Sequence, residues 1–296
     1  MMANPDPLPI VRTIADLRAL VRDWRRQGLS VGFVPTMGAL HDGHLTLVAE
    51  ALRQTDRVIT SVFVNPTQFA AHEDLGTYPR REAADAQLLA GAGCSAMYAP
   101  SPAEMYPQGA VTTVAVGDAT TGGPSQGLEG AARPQMFGGV ALVVSKLLNQ
   151  VQADVAVFGE KDWQQLMVVR RMVADLDIPT RIVGVATSRD GYGLALSSRN
   201  TYLSATELDT ARRLNGILAE AALKAAAGEA VASVERQATD AILSAGFARV
   251  DYVAIRHADD LSAFAGDVVD GPARILAAAV LGTTRLIDNM AVPGGV

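Results

Sequence analysis

The 296-residue chain carries 31 Asp and Glu against 25 Lys and Arg, a formal charge of −6, with 49% hydrophobic residues and one cysteine. A chain this apolar can bury a full core, which excludes wholesale disorder, and its acidic balance offers no general positive field to a polynucleotide. Nucleic acid is therefore not an expected partner. Cys94 alone cannot close an intrachain disulfide, and no Cys/His spacing suggests structural zinc, so a cytoplasmic protein is expected. Met1 to Arg12 has neither a basic start nor an apolar run, so no signal peptide is expected. No stretch reaches the ~18–20 apolar residues of a membrane helix; the run Val140 to Leu148 is interrupted by Lys146.

In chain order, Ile14 to Arg26 reads as a helix, with Leu17, Leu20 and Val21 at helical spacing. Val31 to Pro35 is a buried strand, His44 to Gln54 a helix, Val58 to Val64 a strand, and Arg81 to Ala90 a helix closed by Gly91 and Gly93. Ala96 to Ala99 makes a short strand. Gly117 to Arg133, rich in Gly, Thr and Ser, reads as a long loop. Helix Gly139 to Asn149, strand Val155 to Phe158, helix Trp163 to Leu176 and strand Arg181 to Ala186 follow. This alternation predicts a Rossmann-like parallel sheet covered by helices. Beyond a polar stretch at 187–200 come Ala-rich helices, Thr206 to Ala227 and Val231 to Ala245, then two strand-like runs, Val250 to Ile255 and Arg274 to Leu281. The expected division is a Rossmann-like domain over residues 1–186 and a smaller α+β domain over 187–296.

In an open parallel sheet, ligands bind beyond the carboxyl ends of the strands, so polar residues that follow a strand carry the most weight. Four such segments occur: Thr36 to His44, Asn65 to Phe69, Gly159 to Gln165, and the loop carrying Leu196 to Asn200. They are expected to converge on one edge of the sheet. His41 and His44 lie on one face of a helix's first turn, where N–H groups and the helix dipole attract phosphate, and Gly38 and Gly43 permit close backbone approach. Lys161 and Arg199, each directly after an apolar run, could face the charge of a departing pyrophosphate; either alone could equally be a solvated surface charge. Gln68 and Gln165 suit a carboxylate or hydroxyl. Asp85 could hold a metal through water or face solvent on a helix.

The runs Pro35-Thr36-Met37-Gly38-Ala39-Leu40-His41-Asp42-Gly43-His44, Phe63 to Phe69, Tyr78-Pro79-Arg80, Gly159-Glu160-Lys161-Asp162, Gly193 to Asn200 and Leu281 to Asn289 together resemble the pantothenate synthetase, or pantoate–β-alanine ligase, family. The likeness covers nearly the whole chain. H-x-G-H alone would mark only the wider nucleotidyltransferase-like superfamily; N-P-T-Q-F, G-E-K-D and L-S-S-R-N are far more specific. The resemblance implies an ATP-dependent, AMP-forming ligase with Mg²⁺, a C-terminal domain that covers the site, and a homodimer. Pantoate attacks the α-phosphorus of ATP to give pantoyl adenylate and pyrophosphate; the amine of β-alanine then displaces AMP. It also implies an ATP site formed by Pro35 to His44, Gly159 to Asp162, Ser188 and Leu196 to Arg199, with Ser197 and Ser198 on the phosphates and His44 as a hydrogen-bond donor. His41, His44, Lys161 and Arg199 are the implied catalytic groups. Gln68, Gln165, Asn65 and Tyr78 fall at the substrates.

One departure stands out. Arg133-Pro134-Gln135-Met136-Phe137 matches a family stretch in which a histidine usually occupies the place of Met136, and a thioether donates no hydrogen bond. Losing that group would cost about 2.7–4 kcal/mol of barrier if the histidine acts as an oxyanion-type donor, and little if it mostly packs or binds the ground state. Two other readings stand beside the ligase: a nucleotidyltransferase of the same superfamily that leaves the nucleotidyl group on its acceptor, and, on the ground of Met136, a weakly active or non-catalytic nucleotide-binding relative.

Overall fold

The computed structural model describes residues 8–70, 73–117 and 120–294. Residues 1–7, part of the segment from which no signal peptide is expected, lie outside them. The elements run β1 (Ile10–Val11), α1 (Ile14–Arg26), β2 (Val31–Thr36), α2 (Asp42–Gln54), β3 (Arg57–Val62), α3 (Glu82–Gly91), β4 (Ala96–Tyr98), α4 (Pro102–Met105), α5 (Leu128–Ala132), α6 (Met136–Val151) and β5 (Val155–Gly159). They continue with α7 (Trp163–Asp175), β6 (Arg181–Val185), α8 (Ala205–Ala211), α9 (Arg213–Ala226), α10 (Val231–Ser244), β7 (Arg249–His257), β8 (Ala273–Leu281) and β9 (Thr284–Ala291).

The chain divides into two compact units. The first comprises residues 1–116, 133–160 and 168–186; the second comprises 117–132, 161–167 and 187–296. One crossing falls at 186/187, where the composition changes. Segments 117–132 and 161–167, placed by the sequence in the first domain, belong to the second unit, because Glu129 pairs with Arg285 and the Trp163 indole lies under Arg274.

The first unit is a parallel sheet of order β1-β4-β3-β2-β5-β6. Apart from the two-residue β1, this is the five-strand core of a Rossmann fold, and it reverses direction between β2 and β5. Val31 to Val34 are all buried, as a strand covered on both faces requires. Helix α1 begins where the Thr13 side chain accepts from the Asp16 N–H and buries Leu17, Val21 and Trp24 along one stripe. Asp154 fixes the entry to the sheet: Oδ2 accepts from the Val31 N–H at 2.7 Å and from Arg25 at 2.6 Å. Helix α6 is longer than predicted at both ends and buried nearly all round.

In the second unit, α9 and α10 pack against an antiparallel sheet of order β7-β8-β9 around Leu214, Leu218, Val234, Ile242, Ile255 and Ile275. The third strand follows a two-residue loop in which Gly282 has φ +57, the first central position that a type II′ turn reserves for glycine. The single helix expected over Thr206 to Ala227 is two, parted at Arg212, whose guanidinium bonds Asp190 and Asp209. The expected loop Gly117 to Arg133 contains α5, with residues 118–119 outside the described ones.

Candidate functional site

The turn from β2 into α2 sits at the reversal point of the sheet and is bent by two successive left-handed residues, Gly38 at φ +84 and Ala39 at φ +51. A left-handed alanine costs about 1–2 kcal/mol, and Asp85 on α3 holds it there. Its Oδ2 accepts from the Ala39 N–H at 2.9 Å and Oδ1 from the Leu40 N–H at 2.8 Å. Asp85 is 1% exposed. Burial pushes its carboxyl up from the ordinary carboxylate range, against the pull of the Leu40 and Ala39 amides. The structure thus gives Asp85 the work of anchoring the turn.

His41 is the N-cap of α2. Its Nδ1 accepts from the Gly43 N–H at 3.2 Å, the Nδ1 of His44 accepts from the His41 N–H at 3.3 Å, and the two rings lie 4.1 Å apart. This is a capping box built from imidazoles. It corrects one expectation: the amides of Gly43, Ala39 and Leu40 are engaged within the protein instead of being presented to a phosphate. In exchange, both neutral rings use Nδ1 as acceptor, which puts the ring hydrogen on Nε2 and makes that atom the donor. The donor capacity moves from backbone to side chain.

Beyond β3, Asn65 and Gln68 form one buried network. Asn65 Nδ2 donates to Gln68 Oε1 at 2.9 Å and to the Gly139 carbonyl at 3.1 Å, while Asn65 Oδ1 accepts from the Tyr106 hydroxyl at 2.7 Å. Asn65, 1% exposed, therefore braces the Pro66–Gln68 turn. Gln68 Nε2 donates to Met37 Sδ at 3.2 Å, which ties this turn to the one after β2. Gly139 on α6 closes the other side; a Cβ there would stand 2.4 Å from the Thr67 carbonyl oxygen. Tyr78 is buried with its ring edge-on to Phe69, 6.0 Å between centroids. Met136 is buried at the first turn of α6, and its Sδ accepts from Arg133, whose guanidinium forks onto Glu73 at 2.7 Å twice.

The first unit thus gathers Thr36 to His44, Asn65, Gln68 and Asp85 around the ends of β2 and β3, and in the same unit Gly159 ends β5 and Glu160 follows it. Lys161, Asp162, Gln165, Ser188 and Leu196 to Arg199 belong to the second. There, Lys161 Nζ lies 3.9 Å from Asp162 Oδ2, and the Lys161 carbonyl accepts from Asn289 Nδ2 at 2.8 Å. Ser197 caps the turn Ser198–Tyr202, its hydroxyl accepting from the Arg199 N–H, and the Ser188 carbonyl accepts from the Leu196 N–H. Thr187 Oγ1 and Asn200 Oδ1, flanking these residues, are buried with no hydrogen-bond partner. Gln165 is half-buried. Its neighbour Gln164, which the sequence reading passed over, is 3% exposed and bonds four backbone groups of residues 124–129.

A Rossmann order with a histidine cap at the reversal point defines a nucleotide-binding α/β protein. The model of one family, pantoate-beta-alanine ligase, matches residues 9–291. The pantothenate synthetase of Caulobacter vibrioides is 57% identical over 96% of this chain and 98% of its own length, and that of Chelativorans sp. is 55% identical over 96% and 98%. The crystal structure of pantothenate synthetase from Thermus thermophilus superposes with a TM-score of 0.87 at 44% identity, covering 96% of this chain and 99% of that one. Pantoate-beta-alanine ligase from Francisella tularensis, complexed with beta-gamma ATP and beta-alanine, gives 0.80 at 33% identity, covering 97% and 99%. The chain belongs to the pantoate–β-alanine ligase family. It is accordingly an ATP-dependent, AMP-forming ligase.

Proposed function

We propose that the protein condenses pantoate with β-alanine through a pantoyl-adenylate intermediate at the carboxyl edge of its parallel sheet. The observation that carries this reading is the imidazole capping box at the reversal point, which turns two histidines into Nε2–H donors. In the first step a pantoate carboxylate oxygen attacks the α-phosphorus and the bond to the bridging oxygen of pyrophosphate breaks. His44 donates to the phosphoryl oxygens as charge grows on them, with His41 beside it, and Lys161 and Arg199 accompany the leaving pyrophosphate. In the second step the amine nitrogen of β-alanine attacks the acyl carbon, loses a proton, and AMP leaves. No enzyme nucleophile is required, because the mixed anhydride supplies the leaving group and the protein positions and stabilises.

Gln68 and Gln165 hold pantoate in this reading. Asn65 and Tyr78 act around it by fixing the Pro66–Gln68 turn and its flank. The unpartnered oxygens of Thr187 and Asn200 suit a bound nucleotide, since buried acceptors without partners are otherwise costly. Mg²⁺ neutralises phosphate charge in such reactions and takes most of its ligands from phosphate and water. Among the described residues no three His, Cys, Asp or Glu side chains are grouped to hold an ion, and both oxygens of Asp85 are engaged. No residue is therefore assigned to the metal. A homodimer in the cytoplasm completes the reading; among the described residues no helix is long and apolar enough to cross a membrane.

Product analysis tests it. Mass spectrometry of a reaction with ATP, pantoate and β-alanine should show pantothenate, AMP and pyrophosphate in equal amounts. A nucleotidyl group retained on the acceptor would instead identify a nucleotidyltransferase, and binding of ATP without pyrophosphate release a non-catalytic relative.

A further inference from the structure

We infer that Gln164 is a positioning residue for adenylation: its buried amide locks the irregular 124–129 loop to the segment that carries Lys161. The inference rests on the reading of Lys161 as a group that meets the phosphates.

The loop is irregular up to the start of α5, with Gly127 at φ +64 and Leu128 at φ +48; the Gly127 carbonyl accepts from the Ala131 N–H as α5 begins, whereas those of Pro124 and Gln126 have no regular ladder to satisfy them. Gln164 supplies the missing partner. Its Nε2 lies 3.0 Å from the Pro124 carbonyl oxygen and 3.2 Å from those of Gln126 and Gly127, and its Oε1 accepts from the Glu129 N–H at 2.9 Å. A primary amide has a donor end and an acceptor end, and this site uses both. A glutamate would set an oxygen against three carbonyls; a methionine would fill the volume and satisfy none of them.

The loop is itself fixed from its other side. Glu129, 5% exposed, receives both terminal nitrogens of Arg285 at 2.6 and 2.8 Å and the Tyr252 hydroxyl at 2.8 Å. Arg285 Nε reaches Asp251 at 2.7 Å. Successive strand residues normally point to opposite faces, yet Asp251 and Tyr252 both join this network, because the register of β7 against β8 shifts between Val250 and Tyr252. Burial, and then the charge of Glu129, push the Tyr252 hydroxyl well above its ordinary value, which keeps it a donor.

Residues 161–164 are thus held at three points by groups distant in sequence. The Lys161 carbonyl takes Asn289, the Trp163 ring lies 3.6 Å under the Arg274 guanidinium with its N–H on the Ala258 carbonyl, and Gln164 takes the loop. The Lys161 ammonium is left with only the long Asp162 contact among the described residues. Buried ion pairs and amides are weak devices for stability, since apolar packing does as well or better. Their directional bonds fix a place for the backbone, and here the backbone so fixed is that of a lysine kept available.

A double-mutant cycle tests the inference: pantoate-dependent ATP–pyrophosphate exchange in wild type, Gln164→Met, Lys161→Ala and the double variant, with circular dichroism on each. Gln164→Met should lower the saturated exchange rate about tenfold with an unchanged KM for pantoate, and in the Lys161→Ala background it should add less than about twofold, the signature of two residues acting as one unit. Normal exchange in Gln164→Met, or losses that multiply in the double variant, would overturn it. Lys161→Ala with wild-type exchange would remove the reading of Lys161, and the inference with it. If Gln164→Met does not fold, Tyr252→Phe decides: removing that one hydroxyl should slow exchange about threefold with an unchanged fold, and a wild-type rate would overturn the inference.

Discussion

Two of the segments that carry the implied phosphate-facing groups are held in different ways. The His41–His44 turn is fixed by its neighbours in sequence, through the imidazole capping box, together with remote contacts from Asp85 to Ala39 and Leu40 and from Gln68 to Met37. The Lys161 segment has no local brace of that kind; Asn289, Arg274 and the 124–129 loop hold it from far along the chain. A donor that must stay in one tautomer is built into a helix end, where the backbone itself sets the hydrogen. A flexible ammonium needs only its backbone placed, and long-range contacts suffice.

The largest effect that can break this comparison is at His44. Alanine there should lower the burst of pantoyl adenylate by at least ~10²-fold, the range for a lost charge-stabilising donor. His44→Gln separates its two tasks, because glutamine at N3 restores the capping box without an imidazole. That variant should melt close to wild type and remain as slow as alanine; recovery of the burst would reduce His44 to a cap.

Gly139→Ala comes next. Its Cβ would press on the Thr67 backbone, so α6 or the Pro66–Gln68 turn must move, at a loss of about 1–3 kcal/mol or more in a urea titration. An unchanged midpoint would show that the buried Asn65 network is not the tight junction described.

The smallest effect contrasts two carboxylates. Asp85 is raised by burial, so on acidification the folded protein takes up its proton before the unfolded chain does, and stability gains from that site. Asp251 is raised by burial but pulled further down by Arg285 and Arg249, so the folded form protonates last and stability is lost as pH falls through its lowered value. Between about pH 6 and 3, Asp251→Asn should therefore show a shallower fall in melting temperature than wild type, and Asp85→Asn a steeper one. Parallel curves for all three proteins would contradict both assignments.

Most of the parallel sheet was legible because its strands and helices declare themselves locally. Ile14–Arg26 matches the predicted helix at both ends, and the segments expected after β2 and β5 begin at the last residues of those strands, whereas β3 stops at Val62, two residues short of the expected Val64. The histidine turn was legible for the same reason, although its capping bonds were not, since an imidazole acting as N-cap falls outside the usual Ser, Thr, Asp and Asn. What escaped depends on remote partners. Helix α5 is five residues long and starts at a left-handed leucine, so no periodicity marks it; Gln164 is one of two adjacent glutamines, and only the loop it meets distinguishes it from Gln165. The role of Asp85 was hidden likewise, because its partners are backbone amides 45 and 46 residues away.

The proposed reaction requires adenylation of pantoate at this sheet edge without help from the amine. Isotope exchange between pyrophosphate and ATP, in the presence of pantoate and Mg²⁺ and the absence of β-alanine, tests it most directly. Rapid exchange that disappears when pantoate is omitted is the predicted result. Exchange that is indifferent to pantoate, or that begins only when β-alanine is added, would contradict the account.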